Sequence, residues 1–371
     1  MKKKKRNSNL ELLRIVSMFL IVLGHFTWET SWKFSSSDSI THIGMVHSLW
    51  IGGKLGVNIF VLISGYFLVN SSFKLKSFIS VWFTSYVYAW IIFILYSLVV
   101  KQSISLKLLI KTIFMGSSGY LNWFVTAYLI MYAFHPFINK LIRSLNSKEF
   151  ITFLGLDIII FSIFETAFKN PSIGTTGDDA IWLILVYSVG AFIKLNEEKL
   201  KTISNTKLVG VGVISILLSV ASIFILDYVN LVGHISKFNH FYGKFVGGTS
   251  PLQLLTAVAV FLVFIKMQPH YNKIINTVAK TTFAIYLIHA NTIIVDWLWN
   301  DIVRGQRFEN TPLVFGYAFI VAVTIFVSCA VIEFLREKIF GNINNLVVSK
   351  LTNKLEVIYN RFIAKAEDYL D

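Results

Sequence analysis

The chain has one cysteine, Cys329, and five prolines among its 371 residues. A lone thiol excludes an internal disulfide framework and a cysteine-based metal site, and its apolar neighbours read Cys329 as small core filler. Charge is also scarce, at 15% of residues, where soluble domains carry about 25%. Several chemical motifs are missing. There is no G-x-x-x-x-G-K-[ST] loop, no G-x-S-x-G elbow and no H-E-x-x-H pair, and the eight histidines have no metal-ligand spacing. ATP hydrolysis, serine-hydrolase chemistry and metal catalysis therefore find no support. The chain also lacks a fixed-period repeat, a low-complexity linker and a second soluble domain.

What it has is apolar length. Hydrophobic residues make up 55% of the chain and its mean hydropathy is +0.66. Runs of about 20 apolar residues, enough to cross a hydrocarbon core of roughly 30 Å, recur along the sequence. They predict an all-α, polytopic integral membrane protein of about ten transmembrane helices, at 11–27, 50–69, 77–100, 122–139, 150–168, 180–195, 208–229, 250–268, 277–298 and 312–335. The formal net charge of +14 is spread through short inter-run segments, which argues for topology and not for nucleic acid. With ten crossings, 23 Lys and Arg fall on the N-terminal side and 10 on the other. The positive-inside bias then places both termini in the cytoplasm. Lys2 to Arg6 ahead of the first run resembles a signal peptide, but no small-x-small cleavage site follows, so the run is read as a retained helix. Two units are expected: a membrane domain over 1–335 and a cytoplasmic tail over 336–371, amphipathic or solvated.

Ionisable groups at membrane depth cost a few kcal/mol and are functional candidates. Arg14 and His25 in the first run are eleven residues apart, which puts them on one helix face about 16 Å apart in depth. Arg14 could hold a phosphate-bearing donor and His25 could take a proton from a hydroxyl. The plainer alternatives are that Arg14 snorkels or pairs with Glu11, and that His25 is an interfacial residue. Glu29, one turn beyond His25, could orient the imidazole or simply be solvated. In the second run, Gly56 and Gly65 suit a packing seam, while Asn58, Ser64 and Tyr66 could line a polar cavity. Trp123 fits an interfacial aromatic belt. Tyr128 and Tyr132 share a face deeper in the fourth run, which ends near His135 and Pro136. Tyr286, His289 and Asn291 lie in the ninth run, where an unpaired imidazole would be costly.

Arg14-x10-His25, then GVNIFVLISGYFL, LNWFVTAYLIMYAFHPFIN and TTFAIYLIHAN, in that order over about residues 8–335, resemble the membrane-bound acyltransferase family 3. The resemblance implies transfer of an acyl group, generally from cytoplasmic acyl-CoA, to a hydroxyl of a surface glycan or another small acceptor. It implies Arg14 as a donor-site residue and His25 as the catalytic residue, with acetyl-CoA as the donor co-substrate and no metal. A bacterial plasma membrane and a capsular or exopolysaccharide acceptor follow by analogy. Two departures stand out: Lys74 and Lys76 replace arginines that many members carry, and Thr126-Ala127-Tyr128 lacks a carboxylate that some place in the fourth span. The alternative function is a transporter or polysaccharide-export component using the same polar path.

Overall fold

A computed structural model describes residues 7–35, 37–100, 106–115, 122–169, 174–232 and 241–370. Lys2 to Arg6, the basic run expected to face the cytoplasm, lies outside them. Among the described residues every regular element is helical. Six helices are long and apolar enough to cross a membrane, which makes this a multi-pass membrane protein. Their outward faces are greasy. Leu217 on α11 (Asn205–Val232) and Ile320 on α15 (Leu313–Leu370) expose 61% and 63% of their surface, a pattern water would penalise and lipid accepts.

The first helix, α1 (Ser8–Glu29), starts where the Asn7 side chain accepts from the Asn9 amide. A short α2 (Ile40–Ser48) leads into α3 (Ile51–Leu68), which packs along α1 on one side and α9 (Ala180–Leu195) on the other. Glycines make these approaches possible. A Cβ on Gly24 would stand 2.7 Å from the Gly53 backbone, and one on Gly65 would stand 2.1 Å from the Tyr187 carbonyl oxygen. Membrane helices without a hydrophobic drive between them gain from such backbone proximity.

Next come α4 (Leu75–Val100), a short α5 (Leu106–Met115) in a stretch expected to be loop, and α6 (Trp123–Ser144). Pro136 inside α6 removes the amide that would bond the Tyr132 carbonyl. His135 Nδ1 donates to that oxygen at 2.5 Å instead, so this imidazole repairs a helix. Asn139 and Arg143 of α6 donate to the Leu68 and Val69 carbonyls at the end of α3. The fifth run is α7 (Ser147–Ile158) continuing through a π-helical stretch into α8 (Glu165–Phe168). A one-turn α10 (Glu197–Leu200) precedes α11, and α12 (Pro251–Lys266) packs against α11 and α3.

One expectation is corrected here. The run 277–298 is not one span: α13 (Lys273–Val278) and α14 (Thr282–His289) end at His289, and the chain turns at Ala290 and Asn291 before a π-helical segment, Trp297–Val303. The Asn291 side chain accepts from the Ile293 amide and so stabilises the turn. Irregular backbone at this depth is tolerated only where protein or a cavity surrounds it. Past the span expected to end at 335, α15 runs unbroken to Leu370, so the tail is helical, one of its two expected forms. The first half of α15 is tied to α4 by Tyr88, which donates to Glu333 at 2.6 Å, while Arg336 grips the same carboxylate with two nitrogens at 2.6 and 2.9 Å.

Candidate active site

The close approach of Gly24 to Gly53 brings His25 of α1 beside the start of α3, where Trp50 stacks on it with ring centroids 6.4 Å apart. On its other side His25 Nδ1 lies 3.0 Å from Nε2 of His289, the last residue of α14. His289 Nδ1 lies 2.6 Å from the Ile285 carbonyl oxygen. A carbonyl only accepts, so His289 must carry its proton on Nδ1, which leaves its Nε2 as an acceptor. That in turn places the proton of a neutral His25 on Nδ1. The Nε2 of His25 then presents a lone pair, and no described residue bonds to it. A backbone carbonyl thus sets, through two imidazoles, the form of His25 that can take a proton from a hydroxyl.

The orienting role that a carboxylate could have filled belongs to His289. Glu29 makes no hydrogen bond to His25. Its backbone carbonyl accepts from Asn300, whose side chain also reaches Asp296, so this segment joins the end of α1 to Trp297–Val303.

A cation not foreseen in the sequence stands close by. Lys54 Nζ lies over the rings of Trp50 at 5.7 Å and Trp123 at 5.0 Å, and pairs with Asp178. Its side chain is only 11% exposed, so its field is weakly screened. The signal was present in the run IGGKLGVNIF: a charge inside an apolar helix.

Toward the other end of α1, Arg14 donates to Glu11 at 3.2 Å and sits over the Phe67 ring at 5.8 Å. The plainer reading, the Glu11 pair, is therefore present. Tyr128 stacks on Tyr132 at 6.4 Å and its hydroxyl is within hydrogen-bonding reach of Ser64 and in the field of Arg14. These four expected residues share one region. Between this region and His25 lies a closed apolar seam, lined by Met18, Ile21, Phe60, Phe124 and Tyr286 among others, with internal room of only about 10 Å³. Met18 and Ile21 occupy the same face of α1 as Arg14 and His25.

The remaining candidates serve structure. Asn58 accepts from the Trp182 indole at 2.9 Å and donates to the Gly248 carbonyl, joining α3 to α9. Tyr66 donates to Glu197 at 2.7 Å, and Lys194 completes the group. Burial pushes the Glu197 carboxyl up, but hydrogen bonds from Lys194, Lys201 and Tyr66 outweigh it and hold the pKa at about 2.

A family model described as an acyltransferase domain matches residues 7–333, nearly the whole chain. The protein belongs to the acyltransferase 3 family. It matches no curated protein and no solved structure. Membership makes it a membrane acyltransferase, and the match includes every element that builds the His25 site.

Proposed function

We propose that this acyltransferase moves an acetyl group from cytoplasmic acetyl-CoA to a hydroxyl of an extracytoplasmic glycan, such as a capsular polysaccharide, at a bacterial plasma membrane. The carrying observation is the line along α1: a guanidinium at Arg14, an apolar seam over Met18 and Ile21, and an imidazole with an open Nε2 at His25. A cytoplasmic N-terminus, as the charge bias implies, puts Arg14 at the donor side and His25 at the acceptor side. An open cleft of about 730 Å³ at the α3–α6 ends, lined by Lys140 and Arg143 among others, offers cations for the donor's phosphates. The thioester arm reaches His25 along this face of α1, which requires the closed seam over Met18 and Ile21 to open on donor binding.

His25 Nε2 takes the proton as the acceptor oxygen attacks the thioester carbonyl. The carbon–sulfur bond then breaks, and the thiolate recovers that proton as free thiol. Lys54 supplies positive charge for the oxyanion formed in between. Tyr128, Tyr132, Ser64 and Trp123 contribute to the walls that hold the two substrates.

The test uses the full chain in nanodiscs with acetyl-CoA and a glycan extract, comparing wild type with His25→Ala and Arg14→Ala. Loss of turnover in both variants at normal expression supports the reading. Uptake of a labelled glycan precursor into liposomes without acyl transfer would establish the transport alternative, whose one structural ally is the broken helix after His289.

A further inference from the structure

The first turns of α4 face the second half of α15 across a groove that acyl transfer leaves unused. Arg14, near the start of α1, touches Phe67 at the end of α3, and α4 begins at Leu75 after a short connection. The groove therefore lies at the end of the bundle where α1 begins, the side that the charge bias makes cytoplasmic. Here α15 does not project free of the body. Val348 and Thr352 are only 1% and 5% exposed, so the helix is still packed well past its membrane span.

Between α4 and this stretch opens a groove of about 520 Å³, lined by Phe78 and Trp82 on one side and by Leu351, Leu355 and Ile358 on the other. Small-ligand sites occupy roughly 300–1,000 Å³. Lys354 is the only charged residue in the lining. Leu355 and Ile358 leave 44% and 52% of their surface uncovered, so the apolar wall has room for a further occupant.

The rim, by contrast, is cationic. At 3.6 residues per turn, Lys350, Lys354 and Arg361 fall within about 40° of one another on α15, beside the stripe of Leu351, Leu355 and Ile358, while Glu356 falls about 120° or more away. Across the groove Lys74 and Lys76 bracket Leu75, another lining residue. All five cations are exposed, and none pairs with a carboxylate among the described residues.

An apolar channel with unpaired cations on both banks fits an anionic amphiphile. A soluble anion would leave the apolar wall bare, and a second copy packed symmetrically would bring Lys350, Lys354 and Arg361 against their own equivalents. We propose that this groove binds an anionic phospholipid. One acyl chain lies between Trp82 and Leu355, the headgroup phosphate sits among Lys350, Lys354, Arg361, Lys74 and Lys76, and the lipid clamps the second half of α15 to the membrane surface. The site goes beyond acyl transfer and does not depend on it.

The experiment reconstitutes the full chain into phosphatidylcholine vesicles containing increasing mole fractions of dibrominated phosphatidylglycerol or dibrominated phosphatidylcholine. Bromine quenches tryptophan at contact, and the difference between wild type and Trp82→Phe isolates the Trp82 signal. Lys350→Gln, Lys354→Gln and Arg361→Gln are combined in one variant, and Lys148→Gln, an exposed cation on α7, is the control. All three glutamines replace exposed side chains, so an unchanged melting temperature in neutral detergent verifies the fold. Brominated phosphatidylglycerol should half-quench the Trp82 signal at a mole fraction at least about tenfold lower than brominated phosphatidylcholine, the effect of a few cations at a lipid surface. The triple variant should keep less than a twofold preference, and Lys148→Gln should keep all of it. Equal half-quenching by the two lipids in wild type, or full preference in the triple variant, overturns the site. A Trp82 signal that neither lipid quenches, together with disulfide-linked dimers from Ile358→Cys, overturns it in favour of a second copy.

Discussion

His25 Nδ1 and His289 Nε2 face each other at 3.0 Å across 264 residues of sequence. The pair predicts a graded response. His25→Ala removes the proposed base and should lower kcat by about 10²–10⁴. His289→Ala leaves Nε2 of His25 in place but frees its tautomer. Its kcat should fall less, by roughly tenfold to a hundredfold, with KM for acetyl-CoA unchanged. Equal losses in the two variants would assign chemistry to both imidazoles.

Lys54 gives a second prediction. Lys54→Met keeps most of the stem volume and deletes the charge over Trp50 and Trp123. If this cation steadies the developing oxyanion, kcat should drop by about 10²–10³ with donor binding intact. Asp178→Asn, which leaves the cation in place, should cost far less. Steady-state kinetics on the two variants decides between an electrostatic role and a merely packed ion pair.

The glycines test the scaffold. Gly24→Ala would set a methyl group 2.7 Å from the Gly53 backbone and force α1 away from α3 beside His25. Overpacking of this kind costs about 1–3 kcal/mol, and activity should fall further than the melting temperature implies. Gly65→Ala meets the Tyr187 carbonyl far from His25, so its loss of stability should come without a change in the kcat of folded protein.

Glu197 supplies a pH dependence. Its pKa is lowered from 4.5 to about 2 in the fold, so the tie to Tyr66, Lys194 and Lys201 contributes fully above pH 4.5 and fades as pH falls toward 2. Glu197→Gln should therefore melt below wild type at pH 7. The difference should narrow as the buffer is taken below pH 4.5. A constant difference across that range would show that the carboxylate charge is irrelevant.

The helices were legible because apolar runs of membrane length leave few alternatives, and each of the ten expected runs contains helix. The Arg14–His25 face was legible because helical periodicity alone fixes it. The turn at Ala290 and Asn291 was not, since neither glycine nor proline marks it and a buried asparagine side chain does the work. Nor was the His289 partnership, because nothing in local sequence links positions 264 residues apart. The unbroken α15 was not legible either, because between Ile332 and Leu346 Gly341 and three asparagines, Asn342, Asn344 and Asn345, interrupt the good helix formers. Lys54 could have been found, had its charge been assigned to the helix and not to the neighbouring loop.

The hydrogen-bond chain that begins at His25 ends at the Ile285 carbonyl, a group that cannot be protonated and passed along. His25 is therefore a terminus and not a link in a wire. In the proposed transfer, a proton lifted from the acceptor has one way to leave, on the departing thiol, so each turnover would carry an acyl group one way and a hydrogen the other with no net charge displaced. Such a cycle draws nothing from the membrane potential. In proteoliposomes, an imposed potassium-diffusion voltage of either sign should leave the transfer rate where it was at zero.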